Sequence, residues 1–275
     1  MNKDIISNTR NQTPLVHCIT NYVTVNDCAN IILASGGSPI MSEDINEVEE
    51  ITSICNTLVI NMGKLNKDNF LSMKKAGIMA NKLSHPVILD PVAAGASKWR
   101  DVCTKELLET VKFSVIRGNI SEIKAVYNGT GNTKGVDAAS DDVITYENLD
   151  ENIAFAKKLS KKTGAVIAIS GALDIVCDEN IAYVITNGHI NMTKITGSGC
   201  MLTTVIGAFC GANKENILDA TVVAVSAMGL CGEMANDKML KENTGLSSFR
   251  TYLIDFMSKM DYNILEGGAK IEIRK

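Results

Sequence analysis

Short apolar segments alternate with longer amphipathic stretches through the first two thirds of the chain, and this alternation constrains the fold most. The run 165–169 is entirely apolar, and the run 58–62 is apolar except for Asn61 near its end, which is typical of strands buried on both sides. The stretches between them, such as 66–82 and 147–162, have helical periodicity. This pattern predicts an α/β fold with a mostly parallel central sheet and helices on both faces. Neither a linker nor an internal repeat interrupts it, so we expect one domain over residues 1–275.

The last third of the chain departs from this rhythm. Two short antiparallel strands are predicted at 174–178 and 181–186, with Asn187-Gly188 as a hairpin turn. The remaining predicted elements are helices at 200–211, 214–236 and 246–260 and strand-like pieces around 263–265 and 270–274. The segment 129–142, rich in Gly, Asn, Thr and Ser, is predicted to be a loop.

Charge and cysteine usage bear on the class of protein. The formal net charge is −4, so no general electrostatic attraction to nucleic acid or to an anionic membrane is expected. The eight cysteines form no C-x-x-C pair, which favours reduced thiols in a core. The polar N-terminal residues do not resemble a signal peptide, and Thr, Ser, Asn or charged residues interrupt the apolar segments. We therefore expect a cytoplasmic protein that spans no membrane.

A glycine-rich turn at 196–200 leads directly into an apolar stretch predicted to be a helix. Gly197 and Gly199 permit a sharp turn and close approach of a ligand, because they carry no Cβ atom. The first N–H groups of such a helix suit a phosphate or a developing anion. Cys200 falls in the first turn, where the pKa of a thiol is typically lowered. The alternative is a glycine turn that packs a buried helix, with Cys200 as a small core residue.

Polar side chains stand where several predicted strands end. In open α/β sheets, ligands bind beyond the carboxyl ends of the strands. The strand-end residues are Asn21, Met41, Asn61, Asp90, Arg117 and Ser170. These positions are therefore the first candidates for a functional site.

The segment 117–123 is the most informative of these strand ends. Arg117 is suited to hold a phosphate bidentately, and Glu122 to orient Mg²⁺ through water. The spacing of Asn119 and Glu122 also fits a capping box, which would only satisfy the first helical N–H groups. Asp90 has the same two interpretations, as an aid to Mg²⁺ and phosphate binding or as a cap of the following loop.

Two common kinds of site are not indicated. The chain has no G-x-x-x-x-G-K-[ST] motif, which argues against a P-loop NTPase. Its three histidines lack the spacing of metal ligands, and His17 lies in a predicted buried strand, so we expect a hydrogen-bonded core histidine there. A basic group, two carboxylates and a glycine-rich anion site together favour phosphoryl transfer.

From residue 14 through residue 249, nearly end to end, the chain resembles hydroxyethylthiazole kinases, members of the ribokinase-like superfamily, and six segments, several of them long and ungapped, carry the resemblance. They are 14–23, 34–41, 59–65, 88–92, 115–123 and 196–202. The resemblance implies a ribokinase-like fold and transfer of the ATP γ-phosphate to the hydroxyl of 5-(2-hydroxyethyl)-4-methylthiazole, for thiamine synthesis or salvage. It also implies Mg²⁺ as cofactor and a homotrimer with active sites at subunit contacts.

The resemblance also implies roles for individual residues. Met41 and Gly197 match positions that contact the thiazole, and Arg117 and Ser170 match positions that contact ATP. Glu122 and Asp90 match carboxylates near Mg²⁺ and the phosphates. Cys200 stands where most of the superfamily has an aspartate base, and on chemical grounds Asn21 is a candidate to hydrogen-bond the thiazole nitrogen or a neighbouring loop.

Three positions depart from the family pattern. Cys18 replaces the usual Asn, which leaves a pocket hydrogen bond open. Ala93 replaces the usual Gly after Asp-Pro-Val, which is tolerable if its φ is negative. The residues 245–247 replace a Gly-Pro-Gly before the last long helix.

Two other functions compete with this interpretation. Hydroxymethylpyrimidine kinases of the same superfamily also carry a Gly-x-Gly-Cys turn, but the stretches 17–23 and 38–41 resemble the thiazole enzymes. A non-catalytic sensor of a thiazole or nucleotide is the other alternative. The intact set of Arg117, Glu122, Asp90 and 197–200 argues against lost catalysis.

Overall fold

A computed structural model describes residues 2–129 and 143–275. The loop predicted over 129–142 therefore lies, except for Gly129, outside the described residues. Gly129 itself has a left-handed φ of 75° and ends a helix.

One sheet of nine strands forms the centre of the described structure, in the order β2-β1-β3-β4-β5-β6-β7-β8-β9. The pairings from β2 through β6 are parallel, and those of β6 with β7, β7 with β8 and β8 with β9 are antiparallel. The strands are β1 (Leu15–Ile19), β2 (Ser38–Ile40), β3 (Thr57–Asn61), β4 (Val87–Asp90), β5 (Val115–Gly118), β6 (Val166–Ile169), β7 (Asp174–Cys177), β8 (Ala182–Ile185) and β9 (Ile271–Arg274). The predicted mostly parallel α/β sheet is confirmed.

Helices cover both faces of this sheet. They are α1 (Ile5–Gln12), α2 (Val25–Ser35), α3 (Val48–Ile54), α4 (Lys67–Lys82), α5 (Lys98–Thr110), α6 (Ile120–Asn128), α7 (Leu149–Thr163), α8 (Ser198–Ala212), α9 (Ile217–Lys241), α10 (Leu246–Lys259) and α11 (Tyr262–Gly268), with a 3₁₀ helix at Ile190–Lys194. Alternate residues of one strand serve the two layers, since Leu58 and Ile60 join the core beneath α3–α7 while Val59 joins the core beneath α8–α10. This double burial explains why the strands carry no polar face.

Three local predictions differ from the structure. The piece around 263–265 is helix α11 and not a strand, because Asp261 caps it by accepting a hydrogen bond from the Ile264 N–H at 2.8 Å. The sequence pattern predicts a helix only over 104–111, whereas helix α5 begins at Lys98, with Ser97 as its N-cap. Both predictions are wrong for the same reason. A polar capping side chain, and not the short apolar pattern, determines where each of these helices begins.

The Asn187-Gly188 hairpin is also wrong. Asp178 makes the turn between β7 and β8, where its Oδ1 accepts hydrogen bonds from the Asn180 and Ile181 N–H groups at 2.7 and 2.8 Å. Asn187 instead accepts a hydrogen bond from the Lys270 N–H at 2.7 Å and donates one to the Gly268 carbonyl at 2.9 Å. Its side chain therefore ties the end of β8 to the start of β9.

Among the described residues, one helix is long and apolar enough to cross a membrane, by length and composition only. It is α9, and 72% of its apolar window is buried inside the protein. The helix packs against α8 and α10, as the central helix of a globular core does.

Candidate active site

A continuous chain of polar contacts crosses the sheet where five parallel strands end. Asn21 Nδ2 donates to Asn61 Oδ1 at 3.2 Å, and Asn61 Nδ2 donates to Asp90 Oδ2 at 2.9 Å. The Arg117 guanidinium lies 3.7 Å from the same Asp90 oxygen and donates to Ser170 Oγ at 2.5 Å. The structure therefore brings together the strand-end residues that the sequence singled out, with Met41 outside this chain.

The N-terminus of α8 faces this chain of contacts. Gly197 precedes the helix with a φ of 84°, and a Cβ atom there would lie 2.5 Å from Thr24. A Cβ atom on Gly199 would lie 2.6 Å from Arg117 Nη1, so the guanidinium rests against the first turn of the helix. Residues 197–200 are all partly exposed. Both glycines are thus needed for close packing, and the turn remains accessible to a ligand.

The thiol of Cys200 is held by two side-chain amides. Its Sγ accepts hydrogen bonds from Asn61 Nδ2 at 3.3 Å and from Asn21 Nδ2 at 3.5 Å. Burial raises the pKa of this thiol above its ordinary value, and the nearby Asp90 carboxylate raises it further. The lowered thiol pKa expected from the helix start is therefore wrong, because desolvation and a neighbouring acid outweigh the helix end. The thiol is neutral at neutral pH.

Asp90 is almost fully buried at the centre of the site. Its Oδ2 accepts hydrogen bonds from Asn61 and, at 2.8 Å, from the hydroxyl of Thr203 on α8. Burial raises the pKa of Asp90, and the positive charge of Arg117 opposes that shift. Asp90 therefore connects the sheet to α8.

Glu122 forms the capping box that its spacing allowed. Its Oε2 accepts a hydrogen bond from the Asn119 N–H at 2.8 Å, and its Oε1 accepts one from the Ala93 N–H at 2.8 Å. Burial raises the pKa of Glu122 to about 7, with a further contribution from Asp90. The side chain thus caps α6 and also fixes the loop after β4, beside a second carboxylate.

The two carboxylates fit a magnesium ion held through water and not a closed protein cage. The described residues contain no group of three or more His, Cys, Asp or Glu side chains arranged to hold a metal. Asp90 and Glu122 lie close enough to raise the pKa of Glu122. A divalent cation would relieve that repulsion, and Mg²⁺ commonly keeps water and phosphate ligands beside one or two carboxylates.

The three departures from the family pattern have different structural settings. Ala93 adopts a φ of 58°, contrary to the negative value that would have made it unstrained, so its backbone is in the left-handed region. Cys18 is buried in the core beneath α8–α10, and burial raises its thiol pKa well above the ordinary value. Leu246 begins α10 and is exposed.

Sequence reasoning missed Asp174 and Thr203 as members of the site. Asp174 is buried at the start of β7, where its Oδ1 accepts a hydrogen bond from the Gly171 N–H at 2.8 Å. Burial raises its pKa to about 7, and Arg117 opposes the shift. The sequence contains a signal for each residue. Asp174 is an acid at the start of the apolar run 174–177, and Thr203 lies one helical turn after Gly199.

Known proteins resemble this chain over its whole length. A model of the hydroxyethylthiazole kinase family matches residues 6–263. A hydroxyethylthiazole kinase of Clostridium acetobutylicum is 57% identical over 272 residues, covering 99% of each chain. The solved structure of a hydroxyethylthiazole kinase protein from Pyrococcus horikoshii superposes with a TM-score of 0.87 at 31% identity, covering 99% of this chain and 98% of the other.

A more distant structure matches the fold alone. It is a ribokinase-like superfamily protein of Enterococcus faecalis, with a TM-score of 0.62 at 12% identity over 95% of this chain and 96% of the other. The predicted ribokinase-like fold is therefore confirmed.

Proposed function

The chain belongs to the hydroxyethylthiazole kinase family, and from this premise we propose that it transfers the γ-phosphoryl group of ATP to the hydroxyl of 5-(2-hydroxyethyl)-4-methylthiazole. The alcohol oxygen attacks the γ-phosphorus, the bond from that phosphorus to the β,γ-bridging oxygen breaks, and ADP leaves. The product is the thiazole phosphate used in thiamine synthesis or salvage.

The observation that carries this proposal is the packing of Arg117 against the first turn of α8. A Cβ atom on Gly199 would lie 2.6 Å from Arg117 Nη1 and 2.9 Å from Nη2, so the guanidinium lies against the turn that opens α8. Phosphoryl transfer depends mainly on positioning and on stabilising charge over the transferred group. We assign Arg117 and Ser170 to ATP, and the N–H groups of 198–200 to the migrating phosphoryl group.

Cys200 is assigned to the proton of the substrate hydroxyl. A neutral thiol acts by relay: Sγ accepts the hydroxyl proton while its own proton passes to solvent water at the partly exposed turn. In a loose transition state this proton leaves late, so the relay contributes less to the rate than the anion site does.

Two sets of residues are assigned to the remaining ligands. Asp90 and Glu122 would hold Mg²⁺ through water, and the ion when bound would neutralise charge on the phosphates. Met41, partly buried against the core beneath α8–α10, supplies an apolar and polarisable wall for the thiazole. Asn21 and Gly197 lie on the same side of the sheet edge and complete the substrate contacts.

We further propose that residues 1–275 act as one catalytic domain in a cytoplasmic homotrimer, with the active sites at subunit contacts. Tyr22 and Val23 follow Asn21 directly and are 74% and 58% exposed, which places apolar surface beside the site for a neighbouring subunit. All eight cysteines are free, and seven are buried, which supports a reducing compartment. Light scattering during gel filtration should give three times the chain mass of 29.6 kDa, and a monomer mass would contradict the trimer.

The direct test is an ATP assay with mass detection of the product. We expect ADP and thiazole phosphate to form in equal amounts only when ATP, Mg²⁺ and the thiazole alcohol are all present. Hydroxymethylpyrimidine serves as the control alcohol and should react at least about tenfold more slowly, because the ring wall is built for the thiazole. A preference for the pyrimidine, or binding of the thiazole without ADP formation, would refute the proposal.

A further inference from the structure

His17 lies beside the segment 40–42, and neither of its ring nitrogens hydrogen-bonds to a residue assigned to the reaction. The residue is on β1 and is fully buried. The register of β1 with β2 ends at the pair His17–Ile40. Met41 and Ser42 therefore lie just beyond the end of the parallel ladder, where sheet hydrogen bonds no longer fix the backbone.

One nitrogen of His17 reaches this segment. Nε2 lies 3.0 Å from the carbonyl oxygen of Ser42, and Nδ1 lies 2.9 Å from Oγ1 of Thr52 on α3. A carbonyl oxygen only accepts hydrogen bonds, so Nε2 must carry the proton. Burial lowers the pKa of His17, which favours the neutral ring with this single N–H. The Thr52 hydroxyl also lies 2.6 Å from the Val48 carbonyl, and its single proton is donated either to that carbonyl or to the unprotonated Nδ1.

The residues on either side of this contact are also fixed. The Ser42 hydroxyl donates to Glu47 Oε1 at 2.5 Å, and Glu43 accepts hydrogen bonds from Lys64 at 2.7 Å and from Asn69 at 3.0 Å. These three hydrogen bonds hold side chains, whereas the His17 contact holds the backbone. Ser42 is buried, so loss of its carbonyl partner would leave an unsatisfied acceptor that the segment could relieve only by moving.

We propose that His17 is a positioning residue for thiazole binding: its Nε2–H group fixes the Ser42 carbonyl and thereby holds Met41 against the ring. This assignment rests on the proposed function, because it takes Met41 as the wall of the thiazole pocket. It predicts that affinity for the thiazole depends on His17 while affinity for ATP does not.

A pair of amide variants separates the two nitrogens of the ring. The amide nitrogen of glutamine reaches about as far as Nε2, whereas that of asparagine reaches only about as far as Nδ1. We expect H17N to raise KM for the thiazole by about 5- to 50-fold and to leave KM for ATP within about twofold. H17Q should restore KM for the thiazole to near the wild-type value.

The matched control is Thr52→Val, which removes the partner of Nδ1 and keeps the contact with Ser42. If His17 had a purely structural role, H17N and T52V would change Tm and KM for the thiazole in the same way. We expect T52V to lower Tm without changing KM for the thiazole by more than about twofold. A folded H17N enzyme with wild-type KM for the thiazole, or with both KM values raised together, would overturn the assignment.

A measurement on the wild-type protein covers the case in which H17N does not fold. Two-dimensional ¹H–¹⁵N spectra of the histidine ring should show the Nε2–H tautomer, with a resonance that shifts on saturation with the thiazole and not with ATP alone. The Nδ1–H tautomer, or a shift with ATP only, would contradict the proposal. A wild-type enzyme that does not phosphorylate the thiazole would refute the proposed function itself, whereas an active enzyme that fails these tests refutes only the role of His17.

Discussion

Arg117 packs against the first turn of α8 and Cys200 lies in that turn, and their electrostatics assign them unequal shares of catalysis. Arg117 keeps a permanent charge against Gly199, while burial raises the pKa of Cys200 and keeps its thiol neutral. The charged group can therefore stabilise the transferred phosphoryl group throughout the reaction, and the thiol can act only on the proton.

Substitution of these two residues should show that inequality. We expect Arg117→Ala to lower kcat/KM by about 1,000-fold, because a charge next to the phosphoryl group is lost. Cys200→Ser should keep at least about a tenth of the activity, since a hydroxyl can relay a proton in place of the thiol. Steady-state rates of both variants, with Tm as the control for folding, test this. An inactive serine variant beside an active Arg117 variant would reverse the assignment.

Asp174 makes the stability of the protein depend on pH. Burial raises its pKa from 3.8 to about 7. Between about pH 4 and pH 7, the folded protein therefore holds a proton that the unfolded chain has released. Stability from this group is present below about pH 4 and is lost as the pH rises through about 7.

The variant Asp174→Asn isolates that effect. The amide oxygen can still accept the hydrogen bond from the Gly171 N–H, while the buried charge is removed. Between pH 5 and pH 8 the wild-type free energy of unfolding should fall by about 2 kcal/mol more than that of the variant. Urea unfolding at the two pH values measures this. A variant with the same pH dependence as the wild type would show that Asp174 is ionised in the folded protein.

At the scale of the elements, the first turn of α8 serves both packing and catalysis. Gly199 lets the guanidinium of Arg117 lie against the helix, and a methyl group there would meet Nη1 at 2.6 Å and Nη2 at 2.9 Å. The contact involves the flexible end of a side chain, so the helix can form in either case.

Gly199→Ala should therefore separate activity from stability. Alanine favours the helix by up to about 1 kcal/mol over glycine, so Tm should not fall, while displacement of Arg117 should lower kcat/KM by about 100-fold. Gly245→Ala, directly before α10, is the matched control, since a Cβ atom there would have no neighbour within 4 Å. Wild-type activity in G199A would show that Arg117 need not rest against α8.

The sequence indicates the elements that local patterns determine, and it does not indicate contacts between distant segments. The end of β4 at Asp90 follows from the apolar run before it. The left-handed backbone of Ala93 does not follow from its neighbours in the sequence. It depends on Glu122, 29 positions later, whose side chain accepts a hydrogen bond from the Ala93 N–H. The raised pKa of Cys200 likewise depends first on its burial in the fold and then on Asp90, which is 110 positions away in the sequence.

At the scale of the whole molecule, the parallel order of β1, β3, β4, β5 and β6 brings their carboxyl ends to one edge of the sheet. The short antiparallel extension β7–β9 follows this block and contributes Asp174 beside Arg117. Helix α8 lies across β1, β3 and β4 and points its N-terminus at the same edge. Arg117 and Glu122 come from one segment, whereas Asp90 and Asp174 come from two others. The site is therefore assembled by the topology of the sheet and not by any single segment.

The most direct test of this account is a crystal structure with a non-hydrolysable ATP analogue, Mg²⁺ and the thiazole alcohol. We expect the γ-phosphate to lie within about 3 Å of both the Arg117 guanidinium and the N–H groups of 198–200, with the alcohol oxygen beside Cys200. A γ-phosphate bound elsewhere, with Arg117 still paired only to Asp90 and Ser170, would contradict the account.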